Sequence, residues 1–213
     1  MRILALLFLV VLIPAPASAA PDDNYKTVYE GHVYDTDTRI IEILADQGNP
    51  AAENRVGEFY RYAAFTKQKY KGVGGEQGYE EAVKFFRKAG QAGNPKAQYN
   101  LAMMYENGWG VARDYKESAA WYQKAAAQNQ ILAQANLAVQ YENGRGVKQD
   151  YVEAYVWYSL STKVRTDKYI ANHLKLLVAT KMTKAEKAVA DKRVKQWRPI
   201  PAQPPDLPAV AKR

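Results

Sequence analysis

The sequence contains an internal repeat of 36 residues, and this repeat constrains the fold more than any other feature. Residues 94–129 and 130–165 align without a gap, and sixteen of the 36 positions are identical in the two segments. The identical pairs include Leu101 with Leu137 and Trp121 with Trp157. A fixed period of this length is typical of repeat architectures, in which each copy is one supersecondary unit that packs on its neighbours.

A third, earlier copy becomes visible when an insertion is allowed. Asn49 and Tyr60 precede their counterparts in the next copy by 45 residues, whereas Phe86 precedes its counterpart by 36 residues. The nine extra residues are therefore predicted to lie in a loop over Arg61–Gly78. We predict three repeats, which cover residues 49–93, 94–129 and 130–162.

Each copy has the pattern of two antiparallel helices. Asn94 followed by proline is typical of a helix start, because asparagine accepts from free N–H groups and proline lacks the N–H that would be unpaired. We expect Gly108 and Gly144 to end the first helices with positive φ. Asp114 and Asp150, each followed by glutamate three residues later, predict capping boxes for the second helices. The pattern predicts an all-α protein whose helix pairs stack into a solenoid.

The recurring residues resemble the Sel1-like repeat family, a relative of the tetratricopeptide repeat. The resemblance rests on Ala97, Leu101, Tyr105, Gly108-x-Gly110-Val111, Asp114 and Trp121-Tyr122-x-Lys124-Ala125-Ala126, and on the copy of this pattern between Ala133 and Tyr158. It implies a right-handed α/α superhelical solenoid. Members of the family scaffold or regulate partner proteins, and many are exported by bacteria.

The first 19 residues have the pattern of a secretory signal peptide. Ile3–Ile13 is an uninterrupted apolar run, and Ala17-Ser18-Ala19 presents small residues for cleavage. A helix of this length is too short to cross a hydrocarbon core of about 30 Å. We therefore expect a periplasmic or secreted protein without a membrane span in its mature chain; the alternative is an uncleaved N-terminal helix. Residues 20–48 are predicted to form an N-terminal extension with a capping helix.

The segment that follows the repeats carries the basic charge of the chain. Residues 163–198 contain 11 basic and 3 acidic residues and are predicted to form two capping helices. Their apolar face is expected to include Ile170, Leu174, Leu177 and Val178. The basic face is a candidate site for an anionic surface, and the alternative is a solvated, lysine-rich face. Residues 199–213 are proline-rich and are predicted to form a disordered tail.

The sequence lacks the usual signatures of catalysis. It has no cysteine and only two histidines, and it contains neither a zinc-protease nor a P-loop motif. Most of its aromatic residues recur at the repeat period, which packing explains without a nucleic-acid partner. We predict no catalytic site, no metal and no cofactor. An exported cell-wall hydrolase or enzyme inhibitor, and a secreted virulence factor that binds host proteins, remain as alternatives.

A protein partner is expected to bind the concave side, which the first helix of each repeat lines. Positions on these helices that vary between copies are expected not to serve packing; they are Glu53, Asn54, Glu58, Tyr99, Met103, Ala135 and Val139. Tyr99 and Met103 share a helix face, and Val139 from the next repeat extends the patch. Asn100 and Asn136 recur at the repeat period, so they are predicted either to donate to a bound peptide or to bond within the repeat.

Overall fold

The computed structural model describes residues 36–66, 71–162 and 168–201. Within these ranges the chain forms nine α-helices: α1 (Thr36–Asp46), α2 (Pro50–Thr66), α3 (Gly75–Gln91), α4 (Pro95–Asn107), α5 (Tyr115–Ala127), α6 (Ile131–Asn143), α7 (Tyr151–Ser161), α8 (Lys168–Ala179) and α9 (Lys184–Gln196). The predicted signal peptide, most of the N-terminal extension and residues 202–213 lie outside the described residues.

The chain divides into two compact units, residues 1–39 and residues 40–213. Of the first unit, the structure describes only the opening turn of α1. The second unit is the α/α solenoid that the repeat predicts. In it α2 packs on α3, α4 on α5 and α6 on α7, and each of these pairs packs on the next. No described helix is both long enough and apolar enough to cross a membrane.

The helix ends confirm the predicted cap residues and turn glycines, but not the full capping boxes predicted at Asp114 and Asp150. Each aspartate accepts from the backbone N–H of the glutamate three residues later, and no return bond from that glutamate is found among the described residues. The Asn94 side chain accepts hydrogen bonds from two backbone N–H groups at the start of α4, and Asp114 does the same at the start of α5. Gly108 and Gly144 end α4 and α6 with φ of 72° and 67°. Both glycines therefore occupy the left-handed region, as predicted, where a side chain would be strained.

The solenoid core is formed by residues that recur at the repeat period. Leu101 and Leu137 on the first helices are completely buried, and so are Phe86 and Tyr122 on the second helices. Alanines with no exposed surface lie between these larger side chains and allow the helices to approach closely. Each helix pair thus buries its two apolar faces against its own partner and against the next repeat, which one pair alone cannot do.

The prediction of a loop over Arg61–Gly78 is wrong for most of that range. Helix α2 continues to Thr66, and α3 begins at Gly75, so each helix has 17 residues where its counterpart in the second repeat has 13. The insertion therefore lengthens both helices of the first repeat. Residues 61–66 contain alanine and aromatic residues without a helix breaker, so the helix propagates past the length set by the period.

The two C-terminal helices cover the end of the third repeat. Val178 of α8 and Ala190 of α9 are fully buried in a cluster with residues of α7. Thr183 and Glu186 form a reciprocal capping box at the start of α9. The prediction for Leu177 is wrong, because this side chain is 46% exposed. Val178 and Leu174 supply the apolar contact instead.

A short C-terminal arm, residues 197–201, leads from α9 back to the second repeat. The Ile200 N–H donates a 2.8 Å hydrogen bond to the carbonyl oxygen of Ala127, the last residue of α5. A carbonyl at a helix end has no partner within its own helix, so the arm satisfies one such group. The predicted tail thus contacts the solenoid at Ile200.

Candidate partner-binding site

Three successive first helices, α2, α4 and α6, share one side of the solenoid. We define the first-helix face by five residues on this side: Arg61, Tyr99, Met103, Asn136 and Val139. All five are half-buried, so each contacts its neighbours and keeps part of its surface exposed. The face includes four of the five residues that the sequence predicted for partner binding; the fifth, Asn100, is buried.

Asn100 serves contact between repeats. Its side-chain nitrogen donates a 3.0 Å hydrogen bond to the side-chain oxygen of Asn54, which lies 46 residues earlier on α2. Both asparagines are at least 92% buried, so this bond is shielded from water. The bond joins the first repeat to the second, whereas the intramolecular alternative placed it within one repeat. Asn100 therefore has little exposed surface with which it could bind a partner.

Asn136 belongs to a hydrogen-bond chain that crosses two repeats. Its side-chain nitrogen donates to the Tyr122 hydroxyl at 2.9 Å, and this hydroxyl donates to Glu106 Oε2 at 2.7 Å. Burial, reinforced by the Glu106 carboxylate, raises the pKa of Tyr122 far above its usual value. The tyrosine therefore stays neutral and acts as a fixed hydrogen-bond donor.

Tyr99 contacts Tyr122 of this hydrogen-bond network and also interacts with the first repeat. Its ring is tilted against that of Tyr122, with the centroids 5.9 Å apart. Burial raises the pKa of Tyr99, and the positive charge of Arg61 acts in the opposite direction. Arg61 and Tyr99, which come from adjacent repeats, are therefore close enough to interact electrostatically.

Met103 and Val139 supply the apolar part of the face. Met103 lies one helical turn after Tyr99 on α4, and Val139 packs against the apolar cluster of the third repeat. The described residues include no group of three acidic or histidine side chains that could hold a metal ion. The arrangement offers aromatic and apolar contacts with a few fixed polar groups, which suits the recognition of a protein surface.

Comparison with known proteins assigns the repeats. The Sel1 repeat family matches residues 50–94, 95–130 and 131–163, more than half of the chain. The chain belongs to the Sel1 repeat family. The three helix pairs α2–α3, α4–α5 and α6–α7 are therefore its Sel1 repeats.

Two solved structures and one curated protein are similar to this Sel1 repeat chain. The protective antigen c5321 of uropathogenic Escherichia coli, described as displaying an SLR fold, superposes with a TM-score of 0.66 and 28% identity, over 82% of this chain and 35% of the antigen. A Sel1 repeat protein from Oxalobacter formigenes gives a TM-score of 0.49 and 28% identity, over 76% and 98% of the two chains.

The curated relative is the ERAD-associated E3 ubiquitin-protein ligase component HRD3B of Arabidopsis thaliana. It is 27% identical over 101 residues, which are 37% of this chain. The aligned part spans only 17% of the plant protein and, in the superposition above, about a third of the bacterial antigen. The superposition on the bacterial antigen supports a shared repeat architecture.

Sequence reasoning misplaced two residues of the first Sel1 repeat. Glu53 and Asn54 were expected not to serve packing, but both are buried. The Glu53 carboxylate is only 1% exposed and forms a 2.7 Å ion pair with Lys88 of α3. Burial of a carboxylate is unfavourable without such a partner, so the pair has a structural role.

Arg61 was missed as a site residue, although the repeat register contains the signal. With the offset of 45 residues that aligns Tyr60 with Tyr105, Arg61 aligns with Glu106. The register thus shows a reversal of charge at one position of the first-helix face. The loop prediction for residues 61–78 removed this position from the helix and concealed the reversal.

The second helices and the C-terminal arm border a separate cleft of about 490 Å³. Its lining includes Trp121 and Lys124 of α5, the following cap residue Gln128, and Ile200 and Pro201 of the arm. The Lys124 ammonium group lies 3.9 Å from the centroid of the Trp121 ring, a cation–π contact. Gln128 donates to Gln98 at 2.8 Å, which ties the cleft to the start of the same repeat. The arm thus forms part of the cleft wall.

Some of the basic residues of α8 and α9 form ion pairs within the protein. Arg193 forms a 2.6 Å ion pair with Glu153, and Lys187 forms one of 2.9 Å with Asp191. Lys184, Lys192 and Lys195 are exposed and form no ion pair with any residue that the structure describes. The candidate anionic-surface site is therefore smaller than the net charge of the segment indicates.

Proposed function

We propose that this chain is an exported scaffold or regulator that holds a partner protein against its first-helix face. The observation that supports the proposal is that Tyr99, Met103 and Val139, on the first helices of two successive Sel1 repeats, all keep part of their surface exposed. The Tyr99 ring contacts the Tyr122 ring, and Val139 packs against the apolar cluster of the third repeat, so both are held in place by neighbours. Ordered, half-buried aromatic and apolar residues are typical of protein-binding surfaces, where methionine adapts to a partner's shape.

Export is supported by the apolar segment and small residues at the N-terminus. The absence of cysteine is compatible with export, since the folded repeats need no disulfide to form their core. Cell fractionation with N-terminal sequencing of the mature chain tests this part of the proposal. Recovery of the intact N-terminus from the cytoplasm would contradict it.

The binding proposal is tested by photocrosslinking in intact cells. A benzophenone amino acid at position 103 reports on the first-helix face, and the same residue at Lys116, which is exposed at the start of α5, provides the control. We expect position 103 to form one dominant protein adduct, identified by mass spectrometry, and position 116 to form none of the same mass. Identical adducts at both positions would contradict the assignment of the face.

A substitution series separates binding from folding. Tyr99→Ala removes a ring that packs on Tyr122, so we expect it to lower the melting temperature as well as capture. Met103→Glu instead places a charge on the half-buried patch, at a side chain that forms no polar contact with the described residues. We expect loss of the adduct, detected by the probe at position 99, with helicity retained in circular dichroism. Retained capture by Met103→Glu would exclude the patch as the binding surface.

A further inference from the structure

The first Sel1 repeat departs from the other two at a pair of positions that contact each other in the later repeats. In the second repeat Tyr122 donates to Glu106 at 2.7 Å, and in the third Tyr158 donates to Glu142 at 2.9 Å. The register places Phe86 and Arg61 at the corresponding positions of the first repeat. The tyrosine hydroxyl is therefore missing there, and the acidic side chain is replaced by a basic one.

This paired replacement removes the tyrosine hydroxyl that the later repeats place beside this position. Phe86 is fully buried and lacks a hydroxyl group. The buried Nε atom of Arg61 forms no hydrogen bond with any residue that the structure describes. Such a donor has lost its bonds to water without replacement. Because Arg61 as a whole is only half-buried, its side chain keeps surface that an external acceptor can reach.

The surroundings of Arg61 favour a ligand that is part of a protein. The positive charge of Arg61 acts to lower the pKa of the half-buried Tyr99, so the two side chains are neighbours. Met103 lies one turn further along α4. A planar guanidinium matches the two oxygens of a carboxylate, with which it forms short, charge-assisted hydrogen bonds. An acidic side chain followed or preceded by an apolar one would contact both Arg61 and the apolar patch.

We propose that Arg61 is the carboxylate-binding residue of the first-helix face, and that the partner binds through an acidic segment with an adjacent apolar residue. The inference rests on the proposed function, because it specifies the chemistry of the partner for that same face. In the third repeat, the charge at the corresponding position is compensated within the protein, because the Glu142 carboxylate forms a 3.5 Å ion pair with Lys181. Arg61 forms no ion pair with a residue that the structure describes, so its charge is available to a partner.

The test uses two capped dipeptides as probes, acetyl-Phe-Glu-amide and acetyl-Phe-Gln-amide. They differ in charge and are almost identical in shape. We expect the glutamate peptide to bind about tenfold more tightly and to shift the NMR signals of the Arg61 Nε–H and the Met103 methyl group. Equal affinity of the two peptides, or binding that leaves the Arg61 signal unchanged, would overturn the proposal.

A double variant, Arg61→Glu with Phe86→Tyr, recreates the pair found in the later repeats. We expect it to fold with unchanged helicity and to lose its preference for the glutamate peptide. Arg61→Gln serves as a second variant if the double variant fails to fold. Arg145→Gln, at an exposed arginine of the turn after α6, is the control and should keep the preference.

The crosslinking experiment distinguishes the two proposals. Capture at position 103 that survives Arg61→Glu with Phe86→Tyr would overturn the role of Arg61 and leave the first-helix face as the binding surface. Absence of any adduct at position 103 would contradict the proposed function, while the dipeptide titration would still measure carboxylate binding at Arg61.

Discussion

Gly146 lies directly against the backbone of Tyr115, so that a Cβ atom on Gly146 would overlap the Tyr115 carbonyl group. Gly110 has the same relationship to Tyr79 one repeat earlier. The second glycine of each G-x-G turn therefore contacts the start of the second helix in the preceding repeat. These glycines set the distance between repeats, in addition to allowing the turn.

This contact predicts different costs for two neighbouring alanine substitutions. Gly144 and Gly146 have nearly equal φ of 67° and 70°, so alanine at either adds a similar strain of about 1–2 kcal/mol. Only Gly146→Ala also forces the Tyr115 backbone to move, whereas a Cβ at Gly144 would meet Gln149 at 3.3 Å. We expect Gly146→Ala to lower the free energy of unfolding more than Gly144→Ala does. Equal costs in urea denaturation would show that φ strain alone matters.

Tyr122→Phe should destabilise the solenoid by about 1–3 kcal/mol, because it removes a buried hydroxyl that donates to Glu106 and accepts from Asn136. Tyr115→Phe is the matched control, since its hydroxyl forms no hydrogen bond with a described residue. The measurement is the free energy of unfolding. An equal, small effect of both substitutions would contradict a structural role for the chain of bonds.

Two lysines of α3 form ion pairs that differ in burial, one with the buried Glu53 and one with the partly exposed Glu81. Their removal allows the contributions of the two pairs to stability to be compared. Lys88→Met leaves the buried Glu53 without its cation, and we expect a loss of about 1.5–3 kcal/mol. Lys84→Met removes a 2.6 Å pair with Glu81, and because water screens this solvated lysine we expect a smaller loss of stability. Thermal unfolding of both variants tests the difference. A larger effect at Lys84 would contradict the assignment.

The basic face of the C-terminal helices makes a prediction about ionic strength. If Lys184, Lys192 and Lys195 bind anionic vesicles, binding should fall steeply as salt is raised through about 0.15 M, where the screening length is about 8 Å. Substitution of all three by glutamine should abolish cosedimentation, whereas the same change at three exposed lysines of the repeats, Lys96, Lys116 and Lys148, should not. Binding that salt does not weaken would assign these lysines to solvation alone.

The C-terminal arm depends on one backbone donor. Ile200→Pro removes the N–H that bonds to Ala127, while Ile200→Ala keeps it and serves as the control. We expect the proline variant alone to change the carbonyl chemical shift of Ala127. The same shift change in both variants would mean that the isoleucine side chain, which is 62% exposed, holds the arm in place.

Local chemistry explains which parts of the fold could be predicted from sequence. The caps at Asn94 and Asp114 and the left-handed glycine at Gly108 depend on neighbouring residues, and all three were predicted. The length of α2 was not, because residues 61–66 follow helix propensity and depart from the repeat period.

The candidate site was harder to predict because it depends on how repeats stack. The burial of Asn100 follows from Asn54, which lies 46 residues away in sequence, and no local pattern indicates that contact. Tyr99, Met103 and Val139 were identified because they vary between copies, which is visible in the sequence. Their role in binding stays a prediction.

The inter-repeat bonds have a consequence for protein engineering. A side-chain hydrogen bond between repeats recurs 36 residues later: Gln98 donates to the carbonyl oxygen of Gly90, and Gln134 donates to the carbonyl oxygen of Ala126 in the same way. A duplicate of residues 94–129 inserted after Asn129 would therefore meet matching surfaces at both of its ends. The chain can be lengthened by whole units, and the added copy would extend the surface available to a ligand without a redesigned junction.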